Sequence, residues 1–450
     1  MHLEREFRSP RSLDLIISGK IYVEGRLIDA AIGVEGGKIA WIGKSSCAPF
    51  AEKVVRADEK TLILPGMVDM HVHMRDLDES DKEDWYTGTL SALIGGVTFI
   101  ADMPNNQPPA RNLEVLKMKE EVASKRALVD YGFYAGVPLQ SRELERMSTF
   151  GLIGLKVYPE DQLHKELIDI LREAKRLDLL TVAHAEDPLI LNFASKLEKG
   201  GFDRHSLIRP AEGEALAIRR LALLGSRIGF RLHLTHVSSA AALKAAVETK
   251  IKVGASIDTA IHYLLLDSSS AKKFKGIAKV NPPLRGEHDV RIIRCALKTG
   301  IIDAIVTDHA PHKVEEKTIE SYENVPAGFP GLELCLPLLT TLIARGEVPL
   351  NTLELYSSRP AKLLRVPKGR VEVGFDADFV FMNLGEKWRI KGKDLKSKAK
   401  YTPFEDFEVV GRIRKVFVRG VQALEDEDIL VNKGYGRRYW SKSEIDFLGA

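Results

Sequence analysis

Apolar and polar positions change rhythm twice along this chain. Residues 13–62 carry short apolar runs punctuated by turn glycines. A run over 13–23 ends at Gly25, and two further runs, 30–34 and 38–42, flank Gly36-Gly37, a two-glycine hairpin signal. Residues 369–423 return to that pattern. Gly374-Phe375-Asp376-Ala377-Asp378 turns into Phe379-Val380-Phe381, and 411–421 alternates with period two. Between these ends, strand-like runs alternate with helix-length segments. The pattern predicts strands over 62–71, 97–102, 129–137, 152–157, 180–184, 231–236, 252–255, 276–280 and 301–307. It predicts helices over 112–124, 141–148, 163–177, 188–199, 213–224, 240–248 and 332–344. Such alternation implies an α/β fold, a (β/α)8 TIM-type barrel. Residues 63–365 are expected to form it. Residues 1–62 and 366–450 are expected to combine into a small composite β-domain with a C-terminal tail.

Composition narrows the class. The chain has 450 residues and a net charge of +3 without a long basic or acidic block, which argues against nucleic-acid binding. No apolar run approaches a membrane span; 332–344 is broken by Glu333, Pro337 and two threonines. The segment 1–11 is charged and lacks a signal-peptide core. Cys47, Cys295 and Cys335 are scattered and odd in number, which fits a reducing cytoplasm.

The chemistry lies at the strand ends, which a barrel gathers at one mouth. The first strand ends in His71-Val72-His73-Met74-Arg75. Residues two apart share a strand face, so both imidazoles and the guanidinium can project together. Two neutral imidazoles make half of a divalent-metal site, and an arginine can grip an anionic substrate group with its fork of donors. A lone His-x-His would read as a core pair, but the other ends add to it. Asn105 follows Asp102-Met103-Pro104, and Lys156 sits amid apolar neighbours. His184 and His236 end two further strands. Asn281 precedes two prolines, and Thr307-Asp308-His309-Ala310-Pro311-His312 ends the last strand. Four histidines and an aspartate at one mouth form a ligand set for one or two divalent metals, zinc by ligand type. Strand parity selects His236 over His233 and Asp308 over His309. His2, His164, His205, His262 and His288 lie away from the strand ends and read as surface residues. Lys156 would be repelled by metal ions as a cation. Burial and positive neighbours lower a lysine pKa, and the neutral amine can add carbon dioxide to give an anionic carbamate that bridges two metals. Glu160 and Asp161 are the rival ligands; Lys156 is preferred because it lies within the strand-like run.

Eight pieces together resemble the dihydroorotases of the amidohydrolase superfamily, in the cyclic amidohydrolase branch: PGMVDMHVHMR at 65–75, GGVTFIADMPN at 95–105, GLKVY at 154–158, AHAED at 183–187, LTHVSS at 234–239, KVNPPLR at 279–285, TDHAPH at 307–312 and GFPGLE at 328–333. SRPAKLL at 358–364 and GFDADFV at 374–380 resemble the exit from the barrel into the β-domain. The resemblance implies a zinc-dependent hydrolase with two ions per chain. His71 and His73 would bind one ion, His184 and His236 the second, and N-carboxylated Lys156 both. Asp308 would bind the first ion and act as the catalytic proton shuttle. Arg75, Asn105 and His312 would hold a substrate carboxylate, and Asn281 the pyrimidine ring. The implied reaction is reversible cyclisation of N-carbamoyl-L-aspartate to L-dihydroorotate. Homo-oligomers and association with aspartate transcarbamoylase stay open.

The chain departs from the family pattern in two places. Asp76-Leu77-Asp78-Glu79 follows Arg75 where relatives often have Glu-Pro-Gly, and Asn106 stands where threonine is common. Two other readings compete. One is an allantoinase- or hydantoinase-type cyclic amidohydrolase, although dihydrouracil and hydantoin offer Arg75 no carboxylate. The other is an inactive homologue acting as a scaffold, although every candidate ligand is present.

Overall fold

The computed structural model describes residues 12–441. His2 and the charged segment 1–11 lie outside the described residues. The first strand, β1 (Leu13–Val23), pairs antiparallel with β2 (Arg26–Glu35), which turns into β3 (Lys38–Gly43). Gly36 and Gly37 make that turn with φ of 59° and 82°, the positive pair that a two-residue hairpin requires. Next, β4 (Ala51–Arg56) and β5 (Thr61–Pro65) lie parallel to β1. Gly66 then passes the chain to a second sheet. A Cβ there would come within 2.2 Å of Thr98 Oγ1, so only glycine fits. The run 62–71, expected as one strand, is therefore two strands in two sheets.

Eight parallel strands follow in chain order: β6 (Met67–Val72), β7 (Val97–Asp102), β8 (Asp130–Gly136), β9 (Gly154–Val157), β10 (Leu180–Ala183), β11 (Arg231–Leu234), β12 (Ser256–Ala260) and β13 (Ala304–Val306). The first and last strand ends meet where Val72 bridges His309, and the His73 N–H donates to the His309 carbonyl at 2.8 Å. The sheet thus curls into a barrel. Its strands are buried on both faces, as parallel strands wrapped by helices must be.

The last strands, β14 (Phe379–Arg389), β15 (Glu408–Val418), β16 (Val421–Glu425) and β17 (Asp428–Ile429), return to the first sheet. β14 pairs with β5 from Phe379↔Pro65 to Asn383↔Thr61. Buried Lys368 ties this sheet to the barrel, with Nζ 2.7 Å from Asp130 and Asp376 and 2.9 Å from Asp378. Among the described residues, no helix is long and apolar enough to cross a membrane.

Two further expected strands are corrected. The helix Ala240–Val253 runs through the first half of 252–255, Gly254 caps it at φ 70°, and β12 begins only at Ser256. The segment 276–280 begins in a 3₁₀ turn, Lys275–Ala278. Gly276 there packs against the Lys317 backbone too closely for a Cβ.

Candidate metal centre

At the C-terminal mouth of the barrel, His71 and His73 leave the end of β6 on one face. Nε2 of each lies 3.3 Å from Asp308 Oδ1, which follows β13. The possible ligand atoms of these three residues all lie within 4.8 Å of one another. The His236 ring stands 5.1 Å from His71 and 4.4 Å from His184. Lys156, on β9, is fully buried beneath them, and its Nζ has no hydrogen-bond partner among the described residues.

Hydrogen bonds fix which nitrogen each imidazole presents. The Thr235 hydroxyl donates to Asp258 at 2.9 Å, so it must accept from His71 Nδ1 at 2.7 Å. His73 Nδ1 donates to Asn105 Oδ1 at 2.6 Å, and His184 Nε2 to Glu186 at 2.6 Å. Each of these three rings keeps one lone pair for an ion, with its other nitrogen held by a supporting group, the usual arrangement of metal-binding histidines, whereas His236 Nδ1 has no hydrogen-bond partner among the described residues.

A cavity of about 530 Å³ opens over this centre, lined by His71, His73, His184, His236 and Asp308. Arg75, Asn105, Asn281 and His312 line it too. Arg75 Nε donates to the Pro311 carbonyl at 3.1 Å, and Nη2 stands 3.0 Å from His312 Nε2. Asn105 spends its oxygen on His73, which leaves its NH2 to donate into the cavity. Three of these residues, Arg75, His236 and Asp308, have left-handed backbones, with φ of 54°, 44° and 50°. Such conformations persist only where the surroundings over-determine them, and they gather at functional sites.

A profile described as the amidohydrolase family matches residues 62–423. The chain belongs to the amidohydrolase family. A dihydroorotase of Methanosarcina acetivorans is 33% identical over 414 residues, covering 87% of this chain and 88% of that one. A dihydroorotase of Pyrococcus abyssi is 33% identical over 433 residues, covering 95% and 98%. Among solved structures, the L-hydantoinase (dihydropyrimidinase) from Arthrobacter aurescens superposes with a TM-score of 0.90 at 27% identity, covering 95% of this chain and 99% of that one. A D-hydantoinase from Thermus sp. does so with 0.88 at 29%, with the same coverage.

Electrostatics in this amidohydrolase suit metal binding. Burial, then the charges of Lys156 and the neighbouring imidazoles, hold His71 well below the ordinary histidine range; burial and His184 do the same to His236. Both are therefore neutral near pH 7, the form that a metal ligand requires. Burial lowers Lys156 to about 7, against the opposing pull of Asp308 and Asp258. Burial pushes the Asp308 carboxyl up, but the neighbouring His73, His262 and Lys156 outweigh it and keep it below the usual carboxylate range. The donor set and the partnerless buried amine fit a metal centre. Of the rival carboxylates, Glu160 also lines the cavity, and Asp161 is engaged elsewhere. Asp161 pairs with Arg111 at 2.8 Å and caps the Tyr158 N–H at 2.9 Å, and the Glu160 side chain is exposed.

Sequence reasoning missed the carboxylates that support the candidate ligands. Asp69 accepts the N–H groups of His71 and Thr307 and the Tyr356 hydroxyl. Glu186 binds His184 and Arg209, and Asp258 binds Thr235, His233 and the His236 N–H. Period-two spacing was the available signal: Asp69 precedes His71 by two residues, and Glu186 follows His184 by two. His205 and His262, expected at the surface, are buried. His205 bonds the Val280 carbonyl and the Tyr322 hydroxyl, and His262 packs against Tyr263 and Phe329. The departure after Arg75 is a turn held by Asp76, whose carboxylate caps the N–H groups of Leu77 and Trp85.

Proposed function

We propose that the protein is a dihydroorotase, catalysing the reversible cyclisation of N-carbamoyl-L-aspartate to L-dihydroorotate and water in pyrimidine biosynthesis. One observation carries the reading. Arg75, Asn105 and His312 share a cavity with the His71–His73–Asp308 group, so a carboxylate can be held beside a hydrolytic centre. Dihydroorotate carries such a carboxylate next to its ring amide.

His71 and His73 would hold one zinc ion and His184 and His236 a second, with Lys156 as a ligand available to both. The neutral Lys156 amine adds carbon dioxide: an N–C bond forms, one proton leaves, and the anionic carbamate can serve two cations. When bound, the metals supply Lewis acidity and lower the pKa of water. In the hydrolytic direction Asp308 accepts the proton of the attacking water and returns it to the ring nitrogen as the amide C–N bond breaks. The Asp308 carboxyl lies below the usual carboxylate range, so it is ionised and ready to accept. Arg75, Asn105 and His312 grip the carboxylate away from the reacting carbon, and Asn281 bonds the ring; both contacts orient the amide.

A second reading, a hydantoinase-type activity, is favoured by the hydantoinase structures that superpose at TM-scores near 0.9. It leaves Arg75 without a carboxylate to bind. The proposal places the enzyme in the cytoplasm; a native-mass measurement decides self-association and pairing with aspartate transcarbamoylase. The test is ring opening by the purified, zinc-loaded protein with dihydroorotate, dihydrouracil, hydantoin and allantoin as separate substrates. Turnover of hydantoin or allantoin without dihydroorotate would sink the assignment.

A further inference from the structure

We propose that Asn106 and Lys119 are positioning residues for Arg75 and, through it, for the substrate carboxylate; this rests on the reading of Arg75 as that carboxylate's partner. Arg75, Asp76 and Leu77 are three successive non-glycine residues in the left-handed region, with φ of 54°, 56° and 52°. An isolated chain avoids such a run, because each Cβ crowds the following carbonyl. Bonds from outside the run must therefore hold it.

One buried frame holds the backbone on both sides of Arg75. Asp102 Oδ1 accepts the Met74 N–H at 2.8 Å, and Asn106 Nδ2 donates to the Arg75 carbonyl. Lys119 joins these two supports. Its fully buried Nζ donates to Asn106 Oδ1 at 2.8 Å and to the Met103 carbonyl at 2.9 Å, and forms an ion pair with Asp102 Oδ2 at 2.6 Å. The ammonium also orients the amide. With Oδ1 of Asn106 facing Lys119, its NH2 must face Arg75. A threonine at 106 would have a single short hydroxyl and could not span both groups. Beyond the frame, Arg75 Nε donates to the Pro311 carbonyl and Nη2 stands 3.0 Å from His312 Nε2, a nitrogen that also lies 3.0 Å from the Ala327 carbonyl, while Nη1 makes no bond among the described residues. A backbone pinned at 74–75 and a guanidinium anchored at Pro311 against His312 leave that nitrogen aimed before substrate arrives, which is how preorganisation strengthens binding.

The test compares wild type with Asn106→Ala, alongside Lys119→Met. Lys119→Met leaves Asp102 buried without a counter-charge and can fail to fold, so Asn106→Ala carries the decision. Three quantities are read on zinc-loaded enzyme: KM and kcat for dihydroorotate, zinc content, and amide hydrogen exchange over residues 73–79. For Asn106→Ala we expect KM to rise on the order of tenfold, the scale of one lost charge-orienting hydrogen bond, with kcat within about threefold. Exchange over 73–79 should quicken, and zinc content should hold. A purely structural role would lower the folded fraction, and with it the apparent kcat, at constant KM. An unchanged KM, or unchanged exchange over 73–79, overturns the proposal. Failure of the wild type to open dihydroorotate would sink the functional reading instead, and the exchange result then decides the frame by itself.

Discussion

Replacing Lys156 with methionine should move stability and activity in opposite directions. The Lys156 amine is fully buried and has no hydrogen-bond partner. Burial depresses it from 10.5 to about 7, so the unfolded chain binds the extra proton more tightly than the fold does. The linkage sign follows. Between pH 7 and 10.5 the unfolded state holds more protons, and the stability of metal-free protein rises with pH through that window. A shift of about 3.5 units corresponds to about 5 kcal/mol over the whole window, and to about 2 kcal/mol between pH 7 and pH 9. Methionine keeps the volume and removes the orphaned amine. Chelator-treated Lys156→Met should therefore be more stable than wild type at pH 7, and the difference should shrink by about 2 kcal/mol at pH 9. The same variant should lose zinc and most activity. The assay is urea unfolding of both metal-free proteins at the two pH values, with zinc analysis of the untreated samples. A destabilised metal-free variant, or one with the wild-type pH slope, would refute the reasoning; so would a variant that kept its zinc and its rate.

Asp308→Asn should lower kcat by 10² to 10⁴, the range typical of a positioned proton carrier; a loss under tenfold would remove Asp308 from the proton path. Glu186→Gln leaves His184 without its anionic support and should weaken zinc affinity by about 10- to 100-fold, read by competition with a chelator of known affinity. Asp161→Ala breaks the bonds to Arg111 and Tyr158 but should retain zinc and activity. Loss of zinc there would transfer the ligand role from Lys156 to Asp161.

Strand ends were the most legible part of the sequence, because parity and position act together there. His71 and His73 share a face two residues apart, and Asp308 rather than His309 turns to meet them. Parity worked less directly for His236. β11 ends at Leu234, and a left-handed backbone at His236, rather than strand alternation, aims the ring. Helix and strand types were legible wherever apolar runs were long. They failed at 252–255 and 276–280, where Gly254 and Gly276 mark a helix cap and a close backbone approach. β12 escaped notice because Ser256-Ile257-Asp258-Thr259-Ala260 is short and polar for a buried strand. Its Asp258 is polar because it supports His236 and the Thr235–His71 pair. The polar partners of the ligands share no motif of their own, and their role shows only once the strands are adjacent. Asn106 was visible as a departure from the family pattern, but its partner Lys119 lies 13 residues on, within the helix Leu113–Arg126, at a spacing that no local pattern pairs with it.

The central claim is a zinc centre paired with a carboxylate clamp, and the ratio of kcat/KM for dihydroorotate to that for dihydrouracil tests it most directly. The two rings differ by that carboxylate. A buried site built for a charged group rejects the analogue lacking it by several kcal/mol, so we expect a ratio of about 10³ or more in wild type. Arg75→Met should collapse the ratio toward unity, mainly by loss of dihydroorotate turnover. A wild-type ratio near or below one, or a ratio that Arg75→Met leaves unchanged, would contradict the claim.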